Sequence, residues 1–392
     1  MVLEELTERL KNVYREMEKE KFDCFIVSSE ENIWYLTNIT YKPEERPFFI
    51  VIAPNEKPTL IVPKLEEEHM KKGVLDCEVR AYWEYPAPEG ERWHDILLDH
   101  IKKYHRIGIE THVRADILHM LDSKEIIQSP LIDELRKIKS PYEINKIRFS
   151  SYYAVKAMEK IVNSAYLGQS VLEPFTLSRP IQQELIKRKE YDPITTSLLT
   201  VLWPAPISAM PHAIPNLNDK IPLGPNIAMS YFRINGYASE CERTLFLGVP
   251  TQDDIDHFRH MMTARRLALN TVKPGVRTAD VDYAAKNYLV QKGYKENLLH
   301  RTGHGIGLGN HEAPFMAEGS DDVLQENMVI SIEPGIYLPG VGGFRHSDTI
   351  LITKNGYEIL TPYPVELKNL KIKKPRLLKK LKGKMIQKAL NL

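Results

Sequence analysis

Four short stretches in the second half of the chain place ionisable side chains among glycines and β-forming residues. They are residues 236–246 (GYASECERTLF), 303–305 (GHG), 331–335 (SIEPG) and 343–349 (GFRHSDT). Their aliphatic and aromatic residues predict strands at 236–247, 329–334 and 344–353. Helices are predicted at 253–272 and 277–292, between these strands. The pattern favours an α+β domain.

The order and spacing of these stretches resemble those of the active-site strands in the superfamily of creatinase, Xaa-Pro aminopeptidase, prolidase and methionine aminopeptidase. Residues 31–37 (ENIWYLT) and 107–110 (IGIE) also resemble motifs of the N-terminal domain of that superfamily. The resemblance therefore covers most of the chain. It implies an α/β N-terminal domain, an α+β catalytic domain of the pita-bread fold, and a homodimer.

The boundary between the two domains is predicted near Lys139. Residues 140–143 (SPYE) combine an N-cap serine, a proline in the first helical turn and a glutamate at the third position, which predicts the start of a helix. We expect an N-terminal domain at 1–138, a catalytic domain at 139–367 and a basic tail at 368–392.

The tail between Lys368 and Lys388 holds nine lysines and one arginine, with apolar residues interleaved at helical spacing. This pattern predicts a solvated amphipathic helix that is docked on the body or partly disordered. Contact with an anionic membrane or with nucleic acid is the alternative. We expect neither, and build no function on the tail.

The superfamily's peptidases hold two divalent ions with the ligands Asp, Asp, His, Glu and Glu. The resemblance places these ligands at Met229, Glu240, His304, Glu333 and Ser347. A thioether and a neutral hydroxyl are poor ligands for hard divalent cations. We therefore expect no dinuclear centre and no cofactor, with a single ion on Glu240, His304 and Glu333 as the alternative.

The motif at 242–246 (ERTLF) resembles that of creatinase, the metal-free hydrolase of the superfamily. The resemblance also makes His212 an acid/base group, because an imidazole that titrates near neutrality can pass a proton to a leaving nitrogen. Glu242 is expected to orient His212 or to bind a substrate N–H group, with an ion pair to Arg243 as the alternative.

The resemblance places His304 and Glu333 close together in the catalytic pocket, where both are expected to position water for the reaction. The alternative for each is an inherited residue of the fold that takes no part in catalysis. Without a metal ion, such a pair has a raised imidazole pKa and a lowered carboxylate pKa. His311 matches a histidine that contacts the scissile group, its alternative being a structural histidine.

Three further residues are predicted to bind substrate. Arg345 and His346 are expected in the pocket, and His346 stands where creatinase has a second catalytic glutamate, so creatine itself is not expected as the substrate. Arg46 aligns with an N-terminal-domain arginine of creatinase and is a candidate carboxylate clamp, because a planar guanidinium donates two parallel hydrogen bonds. An ordinary surface arginine is the alternative for Arg46.

Composition and charge argue against several other classes of protein. The formal net charge of +1 argues against a general nucleic-acid role for the body of the protein. Three scattered cysteines do not predict a disulfide framework, and residues 1–20 do not have the pattern of a secretory signal. We therefore expect a cytoplasmic protein that acts on a small molecule.

The sequence favours a creatinase-like hydrolase that cleaves a C–N bond of a small amide or amidine without a dinuclear centre. One alternative is an Xaa-Pro dipeptidase or aminopeptidase with a degenerate or mononuclear site. A second is a non-catalytic binding protein on the same fold, because a fold does not determine function.

Overall fold

The computed structural model describes residues 2–121, 125–372 and 377–389. The chain divides into two compact units, Met1–Arg136 and Lys137–Leu392. No helix among the described residues is both long and apolar enough to cross a membrane.

The first unit is built on a mixed six-stranded sheet with the strand order β4-β3-β2-β1-β5-β6. The strands are β1 (Cys24–Val27), β2 (Phe49–Ile52), β3 (Thr59–Pro63), β4 (Glu78–Tyr82), β5 (Ile107–Ile109) and β6 (Ile126–Gln128). The helices are α1 (Val2–Glu20), α2 (Glu30–Thr37), α3 (Glu67–Met70), α4 (Trp93–Ile101) and α5 (Ala115–Met120), and α6 (Leu131–Lys137) runs through its last residues. This alternation is the predicted α/β architecture.

The N-terminal motif at 31–37 forms most of α2, and a buried carboxylate fixes the start of that helix. Glu110, at the end of β5, accepts hydrogen bonds from the backbone N–H groups of Ser28 (2.6 Å) and Ser29 (2.8 Å) and from Asn32 Nδ2 (2.5 Å). A carboxylate at a helix N-terminus satisfies backbone donors that lack helical partners. Glu110 of the motif at 107–110 therefore stabilises the start of the helix that the motif at 31–37 forms.

The second unit contains a nine-stranded sheet whose main path is β11-β10-β12-β15-β9-β8-β7. Strand β16 pairs with β15 and β17 pairs with β9, while β13 and β14 form a separate two-stranded sheet. The strands are β7 (Ser197–Trp203), β8 (Gly224–Ile234), β9 (Tyr237–Leu247), β10 (Gly303–Gly305), β11 (Glu312–Met316), β12 (Val329–Ile332), β13 (Gly335–Leu338), β14 (Gly342–Arg345), β15 (Ser347–Thr353), β16 (Gly356–Ile359) and β17 (Lys371–Ile372).

Six helices accompany this sheet: α7 (Pro141–Ser164), α8 (Leu172–Phe175), α9 (Arg179–Lys187), α10 (Gln252–Thr271), α11 (Thr278–Gln291) and α12 (Leu377–Ala389). The predicted cap of α7 is present, because Ser140 Oγ accepts from the Glu143 N–H and the Glu143 carboxylate accepts from the Ser140 N–H. A large apolar core joins β8 and β9 to α7, α10 and α11. This is the predicted α+β architecture.

The predicted strand at 344–353 is two strands that separate at His346. Its first part, β14, pairs with β13, whereas its second part, β15, joins the main sheet between β12 and β9. The tail contains a helix, α12, on which Leu378, Leu381 and Met385 are exposed. Residues 373–376 and 390–392 of the predicted tail lie outside the described residues.

Candidate active site

Strand β9 separates the polar side chains of its motif onto two faces. It pairs with β8 in continuous antiparallel register, from Ile234 opposite Tyr237 to Gly224 opposite Leu247. Because side chains alternate along a strand, Glu240 and Glu242 share one face and Cys241 lies on the other. Cys241 belongs to the apolar core, and its two neighbours line a pocket.

The pocket has a volume of about 590 Å³ and collects most of the predicted site residues. Six of its lining residues are predicted catalytic or substrate-binding groups, or ligands of a single ion: His212, Glu240, Glu242, His311, Glu333 and Arg345. The other lining residues are Leu199, Trp203, Pro211, Met229, Tyr231, His300, Arg301 and Ala317.

His304 lies between two carboxylates beside this pocket. Its Nε2 atom is 3.1 Å from Glu333 Oε1 and 3.8 Å from Glu240 Oε2. The nearer contact, to Glu333, is an ion-pair contact of the buried Nε2. The Nδ1 atom lies 3.0 Å from the carbonyl oxygen of Gly305, which requires Nδ1 to carry the proton.

Burial and neighbouring charges shift the pKa values of Glu240, His304 and Glu333 in different directions. Burial raises the pKa of Glu240 to about 8, against the opposing charge of His304. Burial lowers the pKa of His304, but Glu240 and Glu333 outweigh it and raise the value to about 9. Burial raises the pKa of Glu333, but its contact with His304 outweighs that effect and lowers the value to about 2. Without a metal ion, neutral pH therefore favours a His304 cation, a Glu333 anion and a protonated Glu240.

Glu242 is engaged by Arg345. The Arg345 Nη2 group donates to Glu242 Oε1 at 2.9 Å and its Nε donates to the other oxygen, so the pair is bidentate and buried. Both Glu242 oxygens are thus occupied, and no hydrogen bond joins Glu242 to His212 in the described part of the chain. The predicted orientation of His212 by Glu242 is therefore absent from this structure, and so is a side-chain ion pair between Glu242 and Arg243.

The Arg243 side chain lies on the opposite face of the sheet. Its guanidinium donates to Asp348 Oδ1 at 2.7 Å and to the carbonyl oxygens of Ser347 and Tyr363. Arg265 of α10 donates to the other Asp348 oxygen. The register places Asp348 opposite Cys241, which puts this buried cluster on the core side of the sheet.

A hydrogen-bonded chain behind the pocket was not predicted. Arg345 Nη1 donates to Tyr337 Oη at 2.9 Å, and Tyr337 Oη lies 2.7 Å from His300 Nε2. His300 Nδ1 lies 2.6 Å from the carbonyl oxygen of Arg301. The pairing of β13 with β14 brings Tyr337 beside Arg345, and no local signal in the sequence indicates that contact.

The two remaining histidines differ in their surroundings. His212 is exposed in a loop after β7, on the rim of the pocket. The His311 ring lies against that of His304, with 4.0 Å between the ring centroids and 42° between the ring planes. Burial, followed by the charge of His304, lowers the pKa of His311 to about 4, so His311 is a neutral imidazole at pH 7.

The prediction that His346 lines the pocket is wrong. Its side chain is fully buried on the core side, beside the ring of Phe258, with 5.3 Å between ring centroids. Alternation along the chain turns it away from Arg345 and Ser347, which face the pocket side. Arg46 lies in the first unit, where its Nε donates to Glu84 Oε1 at 2.6 Å. Its role as a carboxylate clamp remains a prediction.

Replacing His346 with leucine is expected to make stability less sensitive to acid. Burial, and then the charges of Arg243 and Arg265, hold the pKa of His346 well below its ordinary value. The unfolded state therefore binds a proton below about pH 6.5 that the folded state excludes, so this histidine destabilises the fold as pH falls, by up to about 1.4 kcal/mol per pH unit. Denaturant unfolding of His346→Leu at pH 7 and pH 5 measures the change in slope.

The exposed histidine His119 supplies the control for that measurement. His119→Gln should keep the pH dependence of the wild-type protein. At pH 7, His346→Leu should unfold at a similar or higher denaturant concentration, since neither His346 nitrogen has a hydrogen bond among the described residues. An unchanged difference in stability between pH 7 and pH 5 would contradict the assignment.

Comparison with known proteins places this site in a family. Residues 146–354 match the model of metallopeptidase family M24, and residues 9–138 match that of the creatinase/prolidase N-terminal domain. The chain belongs to metallopeptidase family M24. An uncharacterized peptidase of Staphylococcus aureus (strain MRSA252) is 30% identical over 370 residues, which cover 91% of this chain and 99% of the relative.

Solved structures of M24 peptidases share the fold. An Xaa-Pro dipeptidase from Bacillus anthracis superposes with a TM-score of 0.77 at 25% identity, over 94% of this chain and all of the other. A prolidase from Pyrococcus horikoshii OT3 superposes with a TM-score of 0.76 at 28% identity, over 92% and 99% of the two chains. These matches confirm the resemblance and the pita-bread fold, and they make the protein a hydrolase of family M24.

The donor set of this M24 protein does not fit a pair of metal ions. Met229 lines the pocket with a thioether, and the Ser347 hydroxyl donates to Glu240 Oε1 at 2.5 Å. Two of the expected anionic ligands are therefore replaced by groups that hold hard divalent cations poorly.

The same donor set fits one ion. Glu240, His304 and His311 each offer a ligand atom, and the three atoms lie within 4.8 Å of one another. His304 Nε2 is also buried and faces the carboxylates of Glu240 and Glu333. Three nitrogen and oxygen donors with room for a further group are typical of a catalytic zinc site. His311 thus joins the predicted set of Glu240, His304 and Glu333 as a candidate ligand.

Proposed function

We propose that this M24 hydrolase cleaves the amide bond of a dipeptide or a similarly small amide at a mononuclear site around His304. This is the alternative of the sequence analysis rather than its creatinase-like interpretation. The observation that carries it is the buried Nε2 of His304, which lies between the carboxylates of Glu240 and Glu333 and near His311 at one pocket. The peptidase names of the related proteins support it.

A divalent ion bound by Glu240, His304 and His311 would polarise the scissile carbonyl and lower the pKa of a bound water. The remaining groups belong to the chain itself. Glu333, held ionised beside His304, is placed to accept a proton from the attacking water. His212 is exposed at the rim of the pocket, where it reaches solvent and can deliver a proton to the leaving nitrogen.

Two hydrogen-bonded pairs, Arg345 with Glu242 and Ser347 with Glu240, support the geometry of the site. Arg345 neutralises Glu242, so the pocket contains one fewer free anion than its composition indicates. Ser347 holds Glu240 by a hydrogen bond, which orients the carboxylate toward His304. Supporting contacts of this kind fix the geometry of a site.

Cleavage of dipeptides by purified protein tests the proposal. Gly-Pro, Ala-Pro and Gly-Leu are incubated with protein that has been treated with EDTA and with the same protein supplied with Zn²⁺ or Mn²⁺. Release of free amino acid should occur only with a divalent ion. The absence of cleavage with every ion, together with hydrolysis of a small non-peptide amide, would contradict the peptidase assignment.

The creatinase-like, metal-independent hydrolysis of a C–N bond is the second candidate. It is favoured by the balance of charge without an ion, since the Glu333 anion faces the His304 cation and Glu242 faces Arg345. It requires activity that persists after EDTA treatment, which the same assay detects.

A further inference from the structure

Arg301 is a pocket cation that has no anionic partner among the described residues. It lies two residues before β10 and lines the pocket next to His300 and near His311. Within residues 2–121, 125–372 and 377–389, no carboxylate pairs with its guanidinium, and its buried Nε has no hydrogen-bond partner. A guanidinium has five N–H donors and keeps its charge at any ordinary pH, so leaving it unsatisfied is costly unless a ligand or water completes it.

The guanidinium is held in place by an aromatic ring. Its central carbon lies 4.3 Å from the centroid of the Phe315 ring, a stacking distance typical of arginine on an aromatic face. Phe315 stands directly opposite His304 in the antiparallel pairing of β10 and β11. Opposite residues in such a pair project from the same face of the sheet, so Arg301 stacks on the face that carries His304.

The backbone of Arg301 is fixed as well. Its carbonyl oxygen can only accept, so His300 Nδ1 carries the proton in their 2.6 Å hydrogen bond and His300 Nε2 accepts from Tyr337 Oη at 2.7 Å. Tyr337 Oη in turn accepts from Arg345 Nη1 at 2.9 Å. The fold therefore positions the backbone carbonyl and the guanidinium of Arg301 without a hydrogen bond from the guanidinium N–H groups to the described residues.

The pocket thus contains two guanidinium groups with different tasks. Arg345 is committed to Glu242 in a bidentate pair, whereas no carboxylate of the described residues pairs with Arg301. A planar fork of N–H donors matches the two oxygens of a carboxylate and matches neutral groups less well. We propose that Arg301 binds a carboxylate of the substrate, which makes the substrate a small amide that carries a free carboxylate.

This inference rests on the proposed function, since it describes where a substrate binds. It places the carboxylate clamp at Arg301, whereas the resemblance predicted that role for Arg46, whose guanidinium is paired with Glu84 in the first unit. A short peptide with an uncapped C-terminus has the required group, and so does an N-acyl amino acid.

Binding to EDTA-treated protein tests the subsite without requiring turnover. Calorimetric titration at pH 7 compares N-acetylproline with its neutral analogue, N-acetylproline amide, and the removal of metal prevents the carboxylate from binding an ion instead. The wild-type protein should bind the carboxylate about 10- to 100-fold more tightly than the amide. Arg301→Gln should lose that preference while its affinity for the amide stays within about twofold.

Two further variants make the result specific. Arg301→Lys keeps the charge but not the fork, so an intermediate preference is expected. Arg259→Gln removes an exposed arginine of α10 that pairs with Asp256, and it should leave both affinities unchanged. Thermal unfolding verifies that Arg301→Gln is folded, and Arg301→Lys carries the comparison if it is not.

Two outcomes would overturn the inference. One is a wild-type protein that binds the acid no better than the amide, which includes failure to bind either. The other is an Arg301→Gln protein that keeps the preference for the acid. Failure of the dipeptide assay alone would contradict the proposed reaction but not the subsite, because the binding comparison does not depend on cleavage.

Discussion

His304→Ala is expected to reduce kcat/KM by about 10²- to 10⁴-fold on any substrate that the wild-type protein hydrolyses. His304 is the group shared by both candidate mechanisms. Its Nε2 is a ligand atom if an ion is present, and if no ion is present its contact with Glu333, followed by its charge, lowers the pKa of Glu333 to about 2. Removal of the imidazole therefore leaves Glu333 and Glu240 as facing carboxylates without a cation between them.

His260→Ala is the matched control. His260 lies in the same unit on α10, and its Nδ1 is 2.8 Å from Tyr288 Oη, so its replacement also removes a histidine hydrogen bond. It does not line the pocket. Initial rates at several substrate concentrations should place His260→Ala within about twofold of wild type. A folded His304→Ala protein that stays within tenfold of wild type would exclude this pocket as the reaction site.

Asp348→Asn is expected to reduce the free energy of unfolding by about 3–5 kcal/mol, the largest stability effect that the structure indicates. Asp348 is fully buried and holds two guanidinium groups, one on each carboxylate oxygen, from Arg243 and Arg265. An asparagine has almost the same shape, so the change mainly removes charge. It leaves two buried cations without a counter-charge, which costs more than the loss of the contacts themselves.

The exposed pair of Arg148 and Glu358 provides the matched comparison. Its side chains are 41% and 44% exposed, and water screens their interaction. Glu358→Gln is the same chemical change as Asp348→Asn at a surface position, and it should cost no more than about 1 kcal/mol. Denaturant unfolding at pH 7 compares the two variants. Equal effects would show that Asp348 does not hold the sheet together.

Strand β15 connects the buried cluster of Asp348, Arg243 and Arg265 to the candidate active site. Asp348 and Ser347 are neighbours on β15, and alternation sends Asp348 to the core and Ser347 to Glu240. A rearrangement of the Asp348 cluster would therefore also disturb the hydrogen bond that orients Glu240. Partial loss of activity in Asp348→Asn would reflect this connection rather than a catalytic role.

Much of the fold and part of the site could be predicted from the sequence. The two-unit chain, the α7 cap and the long strand β9 follow from local signals: turn residues, capping residues and β-forming residues in a continuous run. The convergence of Glu240, His304 and Glu333 followed from resemblance to the family, since their separation in the chain leaves no local signal.

The errors have identifiable causes. Arg345 and His346 are consecutive residues of a predicted strand, so they project to opposite faces, and alternation alone excludes both from one pocket. The partner of Glu242 was missed for a different reason. Arg345 reaches Glu242 only because the chain leaves the β13–β14 pair at His346 and then enters the main sheet, a change of pairing that no local pattern encodes.

Arg301 shows what tertiary structure adds. In the sequence it is one arginine before a histidine motif, and nothing local distinguishes it from an ordinary surface residue. Its unused donors become visible only when Phe315, His300 and Tyr337 are in place around it. That no carboxylate of the described residues pairs with this guanidinium is a property of the folded pocket rather than of the motif.

Metal stoichiometry with activity tests the central claim most directly. Protein is purified without chelator, equilibrated with Zn²⁺ or Mn²⁺ and freed of excess ion, and its metal content is measured beside dipeptide cleavage, before and after EDTA. The mononuclear site predicts about one ion per chain, loss of cleavage on chelation and recovery on addition of the ion. Two ions per chain, or hydrolysis that persists in metal-free protein, would contradict it.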